Sequence, residues 1–190
     1  MHNPNFLSSR MTLLGGYMPK RKVFVSYHHK KDQGFYNDFS NMFNDLYDVI
    51  HDNSLDRKID SNGPEYVMRR IRENYLKGTS CTIVLCGAGT PNRKFVDWEI
   101  KATLDKKHAL IGVMLPTARA DYQNQAVIPY RLTTNYNNGY ASWVSWENLF
   151  NTQFGLKHIV EDAVQHAQSN TRLIDNRQAL MSENISSYDF

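Results

Sequence analysis

Cys81 and Cys86 are the only two cysteines in a chain of 190 residues. Both lie in one apolar run, where a strand would turn residues at this odd spacing to opposite faces, so a disulfide between them is geometrically poor. Two thiols also fall short of a zinc site, and a reduced, cytoplasmic setting is expected. Long apolar runs are missing as well. Nothing approaches the roughly 18 consecutive apolar residues of a membrane span, and Met1 to Lys20 holds only the mild stretch Met11 to Gly16, too short and weak for a signal peptide. Charge of one sign is equally scarce: 22 Lys and Arg stand against 19 Asp and Glu, interspersed along the chain. The formal net charge of +3 leaves no clustered basic face, so no nucleic-acid partner is expected.

What is present suffices for one hydrophobic core. Hydrophobic residues make up 41% and charged residues 22%, within the globular range for one domain. The expected division is an N-terminal arm over 1–19, a domain over 20–169 and a polar tail over 170–190, the tail disordered or loosely helical.

Strands and helices alternate along the domain. Lys22 to Tyr27 reads as a buried first strand, and polar His28 to Asp32 as a loop after it. Gln33 to Tyr47 gathers Phe35, Tyr36, Phe39, Met42, Phe43, Leu46 and Tyr47 on one helical arc. Asp48 to Asp52 is a weaker second strand. Ser61-Asn62-Gly63-Pro64 starts a helix that runs to about Lys77, and Gly78 closes it. Cys81 to Cys86 and Ala109 to Leu115 are continuous apolar strands of the kind buried on both faces, with a helix from about Arg93 to Lys107 between them. The stretch from Thr117 to Tyr140 is long and polar, and its structure is left open. Ala141 to Trp146 is expected as an edge strand and Leu156 to Gln168 as a last helix. The pattern implies an α/β fold, an open, mostly parallel sheet with helices on both faces, in which ligands sit beyond the carboxyl ends of the strands.

One residue breaks the pattern of the third helix. Phe95, Val96, Trp98, Ile100, Ala102 and Leu104 form a wide apolar arc, Lys94, Asp97, Lys101 and Asp105 lie opposite, and Glu99 falls in the middle of the apolar arc. Burying an unpaired carboxylate costs several kcal/mol, so a partner or a ligand must meet it. A structural ion pair, access to solvent near the helix start and a functional carboxylate all satisfy this geometry. Other constellations are weaker. Gly87-Ala88-Gly89 has Asn92 where a dinucleotide fingerprint needs its third glycine. His28 and His29 diverge and have no matching ligand cluster, so no metal is expected. The acidic pair of a receiver domain is absent after the first strand, and no G-x-S-x-G elbow occurs.

Four segments coincide in a further way: Val-Phe-Val-Ser-Tyr at 23–27 with its basic loop, the weak second strand with a long loop after it, Gly-Thr-Ser-Cys-Thr-Ile-Val-Leu-Cys at 78–86, and Arg-Lys-Phe-Val-Asp-Trp-Glu-Ile at 93–100. With Ile128 to Leu132 and Gly139-Tyr140-Ala141, they resemble TIR domains, of flavodoxin-like architecture, and within them the TIR proteins of the Thoeris anti-phage system. The resemblance spans roughly Lys20 to Gln168 and implies cleavage of NAD between nicotinamide and ribose, with NAD as substrate and no separate cofactor. It carries the catalytic glutamate of active relatives onto Glu99 and the aromatic four residues earlier onto Phe95, where many relatives have Trp. Ser26, Tyr27 and His28 match the loop beneath the dinucleotide, and Asp52 an acidic residue near the end of the second strand. The partners implied are other TIR domains, by self-association, and a downstream effector reached through a cyclic ADP-ribose-type messenger, with no membrane involved. Two rivals are a non-catalytic TIR adaptor and a module that binds a dinucleotide without turnover.

Overall fold

The computed structural model describes residues 20–51, 63–151 and 155–185. Their strands are β1 (Arg21–Ser26), β2 (Tyr47–His51), β3 (Thr79–Cys86), β4 (Ala109–Met114) and β5 (Ser142–Ser145). They form one sheet of order β2-β1-β3-β4-β5, every pairing parallel. Around it stand α1 (His29–Phe43), α2 (Pro64–Arg70) with a π-helical turn (Ile71–Tyr75), α3 (Lys94–Asp105), α4 (Tyr130–Asn137), α5 (Asn148–Asn151) and α6 (Gly155–Ser169).

The continuous apolar runs are central strands because helices cover both faces. Val23 and Val25 point into a cluster with Phe39 and Phe43 of α1 and Val160 and Val164 of α6. Phe24, between them, points the other way, into a cluster with Val67 and Met68 of α2, Ile71 of the π turn, and Trp98 and Ala102 of α3. From β1 the chain moves outward to β2 and then crosses to the other side of β1 to form β3. The carboxyl ends of β1 and β3 therefore flank the crevice where the strand order reverses, the usual ligand position in open α/β sheets.

Three expectations need correction, and one stretch left open takes shape. The first helix starts at His29, not Gln33, and ends at Phe43, not Tyr47. Its first turn is polar, to which hydrophobic periodicity is blind, and the His28 carbonyl accepts from the Asp32 N–H at 2.8 Å. Leu46 and Met42 are exposed, and Tyr47 pairs with Arg21 at the start of β2. The second helix is not a uniform α-helix, since its last turn widens to π geometry. The stretch left open after β4 contains α4 and an isolated bridge between Ala120 and Ala126. Finally, 170–185 is neither loose nor helical beyond the short turn Thr171–Leu173, and it is bonded along α3.

The start of β4 carries a pH-sensitive group. His108 Nδ1 lies 3.3 Å from the Thr79 hydroxyl, and burial, helped by the charge of Lys106, pulls the imidazole down from 6.5 to about 4. The folded state thus binds a proton less readily than the unfolded chain, so this group's stabilisation is complete above pH 6.5 and is lost as pH falls toward about 4. Stability, read as the denaturant midpoint, is expected to fall across that window, and His108→Gln should flatten the slope. An unchanged slope in the variant would move the effect elsewhere.

Candidate active site

Glu99 is 5% exposed, buried among the apolar residues of α3. Ser26, the last residue of β1, donates its hydroxyl to Glu99 Oε2 at 2.5 Å, a short bond. One turn further along α3, the Thr103 hydroxyl donates to the Glu99 carbonyl at 2.8 Å and lies 2.7 Å from the Thr82 hydroxyl of β3. The helix is thus pinned to the sheet at two levels, and the carboxylate is held over the end of β1 beside the crevice. The sequence favours this arrangement because Phe24 and Ser26 share one strand face, the face on which α3 packs.

Tyr27 points to the opposite face. Its ring stacks on Tyr36 with centroids 4.6 Å apart and planes within 4°, and its hydroxyl donates to Gln33 at 3.0 Å. His28 is the N-cap of α1 and is 7% exposed. A side chain at Gly89 would come within 2.8 Å of the His28 ring, so the loop after β3 passes directly over that ring. Phe95 lies on the same helix as Glu99, but its ring meets Trp98 edge to face at 5.7 Å, and Lys94 Nζ stands 5.2 Å from the ring centre. It is packed against the cluster formed by Phe24 and α2. Asp52 lies outside the described residues.

The structure adds a second buried carboxylate that sequence reasoning missed. Asp32, in the first turn of α1, is 1% exposed. The Thr90 hydroxyl accepts from the Gly87 N–H at 2.9 Å and stands within hydrogen-bond reach of Asp32 Oδ2 at 3.1 Å. Burial pushes the Asp32 carboxyl up, against the opposing pull of Thr90 and Lys31. A Cβ at Gly87 would sit 2.3 Å from Asp32 Oδ1, so only glycine allows the chain to leave β3 this close to the carboxylate. A signal for it exists: Asp32, Tyr36, Phe39 and Phe43 follow helical spacing, so Asp32, like Glu99, is a carboxylate on an apolar stripe.

The remaining chemistry is sparse. Both thiols are free and buried, with Cys81 pushed up to about 12 by desolvation and Cys86 pushed up further, so neither is a ready nucleophile. Among the described residues, no group of three or more His, Cys, Asp and Glu side chains is placed to hold a metal ion. No described helix is long and apolar enough to cross a membrane. What the site offers is a fixed, desolvated carboxyl group with an attached hydroxyl at the carboxyl end of β1, next to the strand-order reversal and near the glycine-containing turn after β3. That arrangement suits stabilisation of a developing positive charge.

A comparison with curated proteins finds no match. Among solved structures, the TIR domains of the activated Roq1 resistosome directly recognizing the pathogen effector XopQ share 14% identity with a TM-score of 0.38, over 84% of this chain and 86% of that chain. The family model described as the Thoeris protein ThsB, TIR-like domain, matches residues 24–120, just over half of the chain and inclusive of Ser26, Asp32 and Glu99, and the protein belongs to that family.

Proposed function

We propose that this protein cleaves NAD at the bond between nicotinamide and ribose, with Glu99 as the catalytic group, and joins the ADP-ribosyl unit to an acceptor within the same molecule to give a cyclic messenger. The observation that carries the reading is the buried Glu99 side chain held by Ser26 at the carboxyl end of β1, where the strand order reverses. Nicotinamide is a cationic leaving group. When its bond to the ribose C1′ breaks, it departs neutral with the electron pair, and positive charge develops on the ribose. A carboxylate fixed at that place stabilises the charge and accepts from the ribose hydroxyls, without a strong acid or a metal. The nucleophile, a nitrogen or hydroxyl of the same molecule, then bonds to C1′ and releases its proton, if it has one, to solvent. Membership of the ThsB family supports cyclisation over hydrolysis. Self-association of TIR domains, and an effector that reads the messenger, complete the proposal for anti-phage defence.

Tyr27 and His28 line the loop at the end of β1 and are proposed to contact the dinucleotide with Ser26, as is Asp52. Phe95 has two roles to separate. Its contacts with Trp98 and Lys94 occupy the ring without any ligand. Phe95→Ala is expected to cost about 1–3 kcal/mol of stability, as for a partly buried aromatic, while raising the KM for NAD no more than about threefold. A KM rise well beyond that, with unchanged melting, would place the ring on substrate.

The same packing favours the rival reading, a non-catalytic adaptor, since the aromatic partner of active relatives is here engaged by the core. Small-molecule profiling of infected cells separates the two. Cells with the wild-type chain should accumulate nicotinamide and a cyclic ADP-ribose-type product, and cells with Glu99→Gln should not. An identical profile in both would remove the assignment.

A further inference from the structure

The arc of α3 opposite Glu99, with Lys94, Asp97, Lys101 and Asp105, has the spacing of a solvated helix face. In the structure it is partly covered, with Asp105 left exposed. The chain beyond Leu173 runs antiparallel along it from one end to the other. Asn176 donates to the Lys101 carbonyl at 3.1 Å and to Asp105 Oδ1 at 2.8 Å. Midway, the Met181 N–H donates to Asp97 Oδ2 at 3.0 Å, and Trp98 Nε1 donates to the Met181 carbonyl at 2.8 Å. At the far end, Asn184 Oδ1 accepts from the Lys94 N–H at 3.0 Å, and the Ile185 N–H donates to the Asn92 carbonyl at 3.1 Å.

The last contacts have a clear physical purpose. Arg93 is the N-cap of α3 and makes no side-chain cap bond, and arginine is not among the residues that cap well. The cap is supplied instead by Asn184, from 90 residues away in sequence. A helix whose first turn is unsatisfied frays from that end, and Glu99 lies only five residues inside it.

We infer that segment 174–185 is a buttress that presses α3 onto the sheet and sets the position of the Glu99 carboxylate, with Asn176 and Asn184 as positioning residues. It acts from behind, on the face turned away from the Ser26 contact. The catalytic consequence rests on the proposed NAD cleavage, whereas the mechanical one does not. A displacement of about 1 Å at a catalytic group costs on the order of 100-fold in rate. Because the carboxylate acts on charge that develops in the transition state, the loss belongs in kcat rather than KM.

The test uses the full chain carrying Asn176→Ala together with Asn184→Ala, which keeps both contacts of Arg131 with Asp97 and removes only its bond to Asn176 Oδ1. Hydrogen exchange followed by mass spectrometry should show α3 amides over 94–100 exchanging about tenfold faster or more, with peptides of β3 and β4 unchanged. The kcat for nicotinamide release from NAD should fall roughly ten- to 100-fold, with KM within about twofold. Asn184→Asp alone, whose carboxylate can accept the same bond at the positive end of the helix, should retain wild-type exchange and kcat. Unchanged exchange in α3 would overturn the buttress. Faster exchange with unchanged kcat would overturn its link to Glu99. A wild-type chain with no turnover even after activation by lysate from infected cells would sink the NAD reading and leave the exchange comparison to decide the buttress by itself.

Discussion

Arg131→Ala is expected to destabilise the protein by about 3–5 kcal/mol, the cost of removing one partner of a buried ion pair. Arg131 is 1% exposed. Its Nε and Nη2 grip both oxygens of Asp97, at 2.8 and 3.2 Å. Its remaining hydrogens go to Asn176 Oδ1 at 2.9 Å and to the carbonyls of Gln178 at 3.2 Å and Ala179 at 2.9 Å. One guanidinium therefore joins α4, α3 and the segment along α3, and truncation leaves a carboxylate and three acceptors without it. For a domain of this size the melting temperature should fall by about 10 °C or more. Arg131→Lys should lie between, because an ammonium keeps the charge but cannot make the planar fork. A loss below about 1 kcal/mol for the alanine variant would mean that solvent replaces these contacts at little cost.

Much of this architecture is legible in the chain because hydrophobic spacing reports burial directly. Cys81 to Cys86 and Ala109 to Leu115 are apolar but for Thr82, and they are the strands covered on both faces. Glu99 is legible for the same reason in reverse, as a charge where the spacing calls for an apolar side chain. What the pattern misses has local polar chemistry and distant partners. The first turn of α1 is His-Lys-Lys-Asp, so a helix start set by apolar periodicity comes four residues late and leaves Asp32 in a loop. The charged arc of α3 has the composition of a solvated face, yet Asp97 and the Lys94 N–H meet partners beyond residue 130, and nothing near Lys94 in sequence announces Asn184. Arg131 stands in the short Ile-Pro-Tyr-Arg-Leu block, but one arginine among polar residues carries no sign of burial until the fold brings Asp97 beneath it.

Glu99→Gln should have the largest effect on function. The amide keeps the volume of the side chain, and its oxygen can still accept the Ser26 hydroxyl, so the melting temperature should stay within about 3 °C of wild type. What it loses is the negative charge. In a buried site, where water does little to screen it, that charge should supply about 4 kcal/mol of transition-state stabilisation, or roughly 10³ in kcat. The KM for NAD should change little, because ground-state contacts are retained. The most direct measurement is chromatographic quantification of nicotinamide released from NAD by the purified full chain, activated by lysate from infected cells, wild type beside Glu99→Gln. Expected is steady release by the wild-type protein and a rate roughly 10³-fold lower for a variant that melts at the same temperature. Equal release by the two proteins would contradict the assignment of the chemistry to Glu99.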